Sequence, residues 1–220
     1  MLGHQFTLAH AYNHVGWLYH LCGLGSKSRK EAEEALRISD EQGFGFWLAI
    51  ATMTRGSALI LDGETERGIN ELRRGMNLTR ASGARLLDSQ YASILGEGLL
   101  RLGQFQEALS VVETGIAQAN ETETRFVEPE LHRLKGEIVL GLSPSPRDTV
   151  RECFLHSLAL AEQQGSRAAS LRGAMSLYRL DRGSPEESES RERLARIRDG
   201  FTEGYQMPDL IEAQKLLHEK

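Results

Sequence analysis

Four glycines constrain this chain more than any other feature. Gly16, Gly56, Gly96 and Gly136 recur at a spacing of 40 residues, and each sits inside a segment that otherwise reads as helix. A glycine in a helix interior costs about 1 kcal/mol relative to alanine, so four at one period need a packing reason. The usual reason is close approach of two helix backbones, which only a residue without Cβ allows. The first three are followed seven residues later by Gly23, Gly63 and Gly103, placed to end a helix in the left-handed conformation. In the fourth copy that place is Ser143, which opens the turn Ser143-Pro144-Ser145-Pro146.

After each turn the apolar positions again recur at helical spacing, which predicts second helices over 27–42, 65–82, 105–120 and 147–164. Three of these end at Gly43, Gly83 and Gly165. One unit is therefore helix, turn, helix, turn. A single such hairpin cannot bury its apolar stripe, but stacked copies share a continuous core. A degenerate fifth copy begins with a helix over 166–182, carrying Leu171, Ala174, Leu177 and Leu180 on one face. Gly183 breaks it, and Ser184 with Pro185 reads as the start of another helix. A last helix follows Pro208, where Asp209 and Glu212 match a capping box. The expectation is an all-α, α-α superhelix in one domain, with hairpins over 5–43, 44–83, 84–123, 124–165 and 166–205 and a capping helix over 208–219.

The third copy reads Leu102-Gly103-Gln104-Phe105-Gln106-Glu107-Ala108-Leu109 after Gly96. This resembles the tetratricopeptide repeat, in which a first-helix glycine, a turn glycine, an aromatic residue and a small second-helix alanine recur. The standard repeat is about 34 residues, and longer helices account for 40. That variant is similar to the superhelical repeats of large bacterial signalling ATPases, including maltose-regulator-like transcription activators. Two further segments, Glu130–Glu137 and Phe201-Thr202-Glu203-Gly204-Tyr205 with Pro208-Asp209-Leu210, Glu212-Ala213 and Leu216-Leu217, resemble the C-terminal end of one bacterial family. Its members join a class III adenylate or guanylate cyclase domain, or a DNA-binding domain, to a predicted ATPase and a helical-repeat tail. The resemblance implies architecture rather than activity: cyclase and ATPase domains would lie upstream, and the chain would be an excised tail or a gene for the tail alone.

The formal net charge of -5 and pI near 5.8 give no global attraction to nucleic acid or an anionic membrane. The longest apolar run, 46–51, is far below the ~20 residues of a membrane span. No secretory signal pattern opens the chain, so a cytoplasmic location is expected. Cys22 and Cys153, far apart in apolar helical segments, read as two buried thiols in a reducing compartment.

Catalytic chemistry finds no motif. Gly23-Leu24-Gly25-Ser26-Lys27-Ser28 looks like a phosphate loop, but Ser26 stands where a glycine must precede the lysine, and a helix precedes the turn where a strand should. It reads as an inter-helix turn. His10 and His14, four apart with His4 and His20 nearby, lack the further ligands and second shell of a zinc site, so no metal is assigned. His132 and His156 read as packing residues held by local hydrogen bonds. The many carboxylates are followed by Lys or Arg within a turn, the mark of solvated helix faces. No enzyme activity and no cofactor are expected.

What the repeat predicts is a groove on the first helices. Residues three before and one after each period glycine share a face: Asn13 and Trp17, Met53 and Ser57, Ser93 and Glu97, Arg133 and Glu137, with His10 alongside. This mixed set suits a protein or peptide segment, including upstream cyclase or ATPase domains, better than a phosphate backbone. The plain alternative is that Met53, Trp17 and others only pack between repeats. A small effector in the groove is the second functional reading, and self-association through an incompletely capped end the third. Reversing Glu97 and Arg133 is expected to abolish binding without altering the melt.

Overall fold

The computed structural model describes residues 4–85, 87–142 and 146–219. The Ser143–Ser145 part of the fourth-copy turn lies outside them. The described residues form α-helices and one short 3-10 turn, and divide into two compact units, Met1–Leu102 and Gly103–Lys220. The first unit holds α1 (Gln5–Leu21), α2 (Gly25–Glu41), α3 (Gly45–Leu61), α4 (Thr65–Ala81) and α5 (Asp88–Arg101). The second holds α6 (Phe105–Thr122), the 3-10 turn Arg125–Val127, α7 (Glu128–Gly141), α8 (Arg147–Gln163), α9 (Arg167–Asp181), α10 (Glu187–Asp199) and α11 (Pro208–His218). No helix among the described residues is long and apolar enough to cross a membrane.

Within the first unit, consecutive helices pack antiparallel and α3 also rests on α1. The turns repeat one geometry. At the end of α1, Gly23 takes φ +70°, its N–H donates to the His20 carbonyl at 2.8 Å, and the Leu24 N–H reaches back to Tyr19 at 2.9 Å. These paired bonds satisfy the helix's last carbonyls and turn the chain into the next helix. α6 ends in the same left-handed conformation without a glycine, at Glu123, φ +54°. Cys22 caps α1 and is exposed, contrary to the expected burial, because the chain leaves the packed surface at that residue.

The period glycines differ in what they meet. A Cβ on Gly56 would lie 2.8 Å from the Gly68 carbonyl and 2.9 Å from the Leu72 nitrogen, both on α4. Gly68 faces it, 2.5 Å from the Gly56 carbonyl by the same construction. Two backbones touch there. Gly16 is less tight, 3.0 Å from the Thr54 methyl and 3.3 Å from the Ser28 carbonyl. Gly136 meets a ring, with the Phe154 edge at 2.5 Å, so the space it leaves is filled by a side chain. Gly96 is buried within α5.

The second unit builds its core from α8, α9, α10 and α11, with Phe154, Leu158, Leu171, Tyr178, Leu194 and Leu216 among its buried members. Two expected helix caps differ. Ser184 does not cap α10: its Oγ donates to the Asp181 carbonyl at 2.7 Å and accepts the Glu186 N–H at 3.3 Å, so it closes a turn and α10 begins at Glu187. α11 is not capped by Asp209, since its N-cap residue Met207 precedes Pro208. The Asp209 carboxylate instead accepts from Arg172 on α9 at 2.7 Å, and Glu212 accepts from Arg179 at 2.8 Å. Two charge-assisted bonds to α9 outcompete a local cap.

Gly56→Ala is expected to lower stability by about 2 kcal/mol or more, because a methyl must displace backbone at the α3–α4 crossing. Gly45→Ala, with nothing within 4 Å of its Cβ position, is expected to raise stability by up to ~1 kcal/mol. Urea unfolding of the two variants beside the parent checks both signs.

Candidate functional site

α1 and the start of α3 assemble an aromatic shelf in the first unit. Trp47 is its centre, with ring centroids 5.6 Å from Phe6, 4.9 Å from His10, 5.0 Å from Phe46 and 6.4 Å from His14. Phe44 closes one side against Phe6 at 5.3 Å. His10 and His14 meet edge-on at 4.2 Å, and His14 Nδ1 is engaged with the His10 carbonyl at 2.9 Å. Among the described residues no group of three or more His, Cys, Asp or Glu side chains is gathered as a metal site would require.

The expected groove residues of this unit fall into two classes. His10 is exposed and Trp17 half-buried. Met53 and Ser57, each 1% exposed, lie in the core. Met53 packs on the α3–α4 crossing, where Gly75 makes room for it, and Ser57 Oγ donates to the Thr54 carbonyl at 2.7 Å. Asn13 and Ser93 are also buried, donating to Ala9 and Gln90 carbonyls at 2.9 and 2.7 Å. All four side chains are buried, and Asn13, Ser57 and Ser93 bond carbonyls of their own helices. The reason is geometric: residues three before or one after a glycine buried at a close crossing can share its packed side. Glu97 is partly exposed and receives Arg101 at 2.7 Å, while Arg101 also donates to the Ile60 carbonyl at 2.8 Å.

The turn resembling a phosphate loop is occupied by protein. The Asp62 carboxylate stands beside Gly25, with Ser26 Oγ donating to it at 3.4 Å. A carboxylate from the next hairpin thus takes the anion position at the start of α2.

In the second unit, the first helices of successive hairpins carry a continuous polar line. On α7, Arg133 donates to Glu130 at 2.5 Å and to Glu137 at 3.4 Å, and also reaches Ser176 on α9 at 3.4 Å. Ser176 in turn donates to Glu137 at 2.5 Å. The line continues through Arg172–Asp209 and Arg179–Glu212 onto α11. Burial works against the Arg172 charge, but Glu130 and Asp209 outweigh it and hold its proton more tightly than a free arginine's. Exposure grows along the line, from 15% at the Arg133 side chain to 45% at Glu212. Arg133 and Glu137 therefore stand together, each already committed to its neighbours.

His132 and His156, across α7 and α8, meet edge-on at 4.3 Å. Burial first, then the neighbouring His156 and Lys135, push His132 down to about 4. A cavity of about 390 Å³ opens between the end of α10 and α11, lined by Arg198, Phe201, Tyr205, Leu210, Ile211 and Lys215 among others. Tyr205 donates to the Phe201 carbonyl at 2.7 Å, pinning the loop that forms its rim.

The helix-pair fold is shared with known structures. A crystal structure described as a Podosopora anserina kinesin light chain with nearly identical TPR-like repeats superposes at TM-score 0.60 and 14% identity, over 90% of this chain and 96% of that one. This is a TPR-like α-α superhelix. A second structure of the same description gives TM-score 0.56 at 16% identity, and MamA from Desulfovibrio magneticus RS-1 gives 0.53 at 15%, each over the same shares of the two chains. No family model matches the TPR-like chain, and no curated protein does.

The shelf residues Phe6, Phe44, Phe46 and Trp47, and the α9 and α11 members of the polar line, were not among the expected site residues. The cluster Phe44-x-Phe46-Trp47 offered a signal, an aromatic density unusual in a chain with 6% aromatic residues. For Arg172 and Asp209 no local pattern exists, because they meet only through tertiary packing.

Arg133→Glu is not the neutral probe its helix position suggested. It places a third carboxylate between Glu130 and Glu137, and a loss of about 2 kcal/mol is expected in thermal or urea melts. The acid response follows from His132. Its folded value lies below the unfolded 6.5, so the unfolded chain binds the proton first and stability falls as pH drops from about 6.5 towards 4. His132→Gln is expected to flatten that part of the melting-temperature profile; an unchanged slope removes His132 as its source.

Proposed function

We propose that this TPR-like chain is a protein-interaction module, serving as the docking or regulatory tail of a signalling ATPase or nucleotide cyclase, without catalysis of its own. The observation that carries the reading is the polar line on α7, α9 and α11. It alternates acid and base at nearly balanced charge and reaches solvent at Arg179 and Glu212, which suits a partner segment bearing both signs. The tail sequence Phe201–Tyr205 and Pro208–Leu217 supports the cyclase and ATPase connection by resemblance alone.

The aromatic shelf supports the same reading from the first unit, since Trp, Phe and His faces on rigid helices are typical anchors of protein contacts. A second reading, a small effector that adjusts docking, is favoured by the α10–α11 cavity, whose volume lies in the range of ligand sites.

Exchanging the exposed pair, Arg179→Glu with Glu212→Arg, keeps the ion pair while inverting the pattern a partner meets. Quantitative affinity purification of the full chain from its source cells is expected to show partner recovery fall at least about tenfold, with an unchanged melt. Equal recovery of the same partners would falsify the proposed docking face.

A further inference from the structure

α1 carries an apolar stripe that nothing among the described residues covers. Leu8, Ala11, Val15, Leu18 and Cys22 follow the alternating three- and four-residue spacing of a helix-pairing seam. All are exposed, Leu8 by 43%, Val15 by 38% and Leu18 by 54%. They lie opposite Ala9, Asn13 and Gly16, the residues by which α1 is buried.

The 40-residue period shows what such a face does elsewhere. One period on, the stripe becomes Leu48, Ala51, Arg55, Ala58 and Asp62. Ala51 and Ala58 are 0% exposed, on the side of α3 where α1 and α2 pack. That α2 contact is fastened by polar bonds: Ser26 to Asp62 at 3.4 Å and Arg29 to Glu64 at 2.9 Å. The counterparts of Asp62 and Glu64 are Cys22 and Leu24. A helix of the α2 kind laid on α1 would find neither acid, and the face is instead apolar throughout.

We infer that this stripe pairs two copies of the chain, α1 against α1, about a two-fold axis at Val15. An antiparallel arrangement sets Leu8 opposite Cys22 and brings small Ala11 within one residue of large Leu18, so the surface complements itself. Electrostatics agree, because α1 contains no Asp, Glu, Lys or Arg over its 17 residues. Self-pairing therefore brings no like charges together, whereas a charged partner helix would bury its ions against an apolar face.

A single helix pair is a small interface and associates weakly, so mass is best read by sedimentation equilibrium of the full chain across roughly 5–200 µM. The expected result is a monomer–dimer equilibrium at neutral pH. Leu18→Glu and, independently, Ala11→Arg are expected to shift dissociation at least about tenfold weaker while circular dichroism keeps the parent's helicity. Ala11 is exposed and its substitution leaves the fold intact, so the pair remains informative if Leu18→Glu misfolds. A parent that stays monomeric over the whole range overturns the inference, as does a dimer indifferent to Ala11→Arg.

Discussion

The fold of the first unit depends on one close approach, that of α3 and α4 at Gly56 and Gly68. With a methyl at either position the two backbones would collide, so the crossing exists only because both residues lack Cβ. The cost of glycine in two helices, about 1 kcal/mol each, is offset by contacts that only this separation allows. At that distance Leu72 and Met53 reach into the neighbouring helix and become almost wholly buried. Gly75, 2.9 Å from the Ala49 carbonyl by the same measure, extends the contact along the helix pair. The hairpin is then closely packed along its length.

This close packing shapes what the surface can do. Polar side chains near a tight crossing have no room to project, so Asn13, Ser57 and Ser93 turn back to carbonyls of their own helices. Groups able to meet a partner stand where helices are further apart or where hairpins change. Those places are the start of α3 in the first unit and the α7–α9–α11 faces in the second. On the latter, the proposed docking face, each charge is held by its neighbours, so a partner there would exchange ion pairs rather than find free ones. Such exchange contributes more to selectivity than to affinity.

How much of this was legible follows from the range of each interaction. The repeat, the helix pairs and the turn glycines are written locally, and the expected second helix over 65–82 lies within one residue of α4 at each end. The caps that failed, at Ser184 and Asp209, failed because a distant or neighbouring bond outcompeted a local cap. Asp209 reads as a capping residue from four letters of sequence, and only the position of Arg172, 37 residues earlier, says otherwise. Asn13, Met53, Ser57 and Ser93 are buried for a different reason. Spacing tells which residues share a helix face, but whether that face is open depends on crossing distance, and crossing distance depends on Gly68 and Gly75, which lie off the 40-residue period.

The same reasoning explains a buried acid that breaks local rules. Asp181 ends α9, where the helix dipole disfavours a negative charge, and it is 0% exposed. Arg147 and Arg151 on α8 reach it at 3.2 and 3.4 Å, and the Ser184 hydroxyl closes on its carbonyl. Removing either arginine would leave part of that charge uncompensated in the interior, so α8, the end of α9 and the turn into α10 must form together. A charge this poorly placed for its own helix is kept in the fold by two arginines of α8 at once. It serves as a fastener for the junction where the regular period gives way to the irregular α10 and α11.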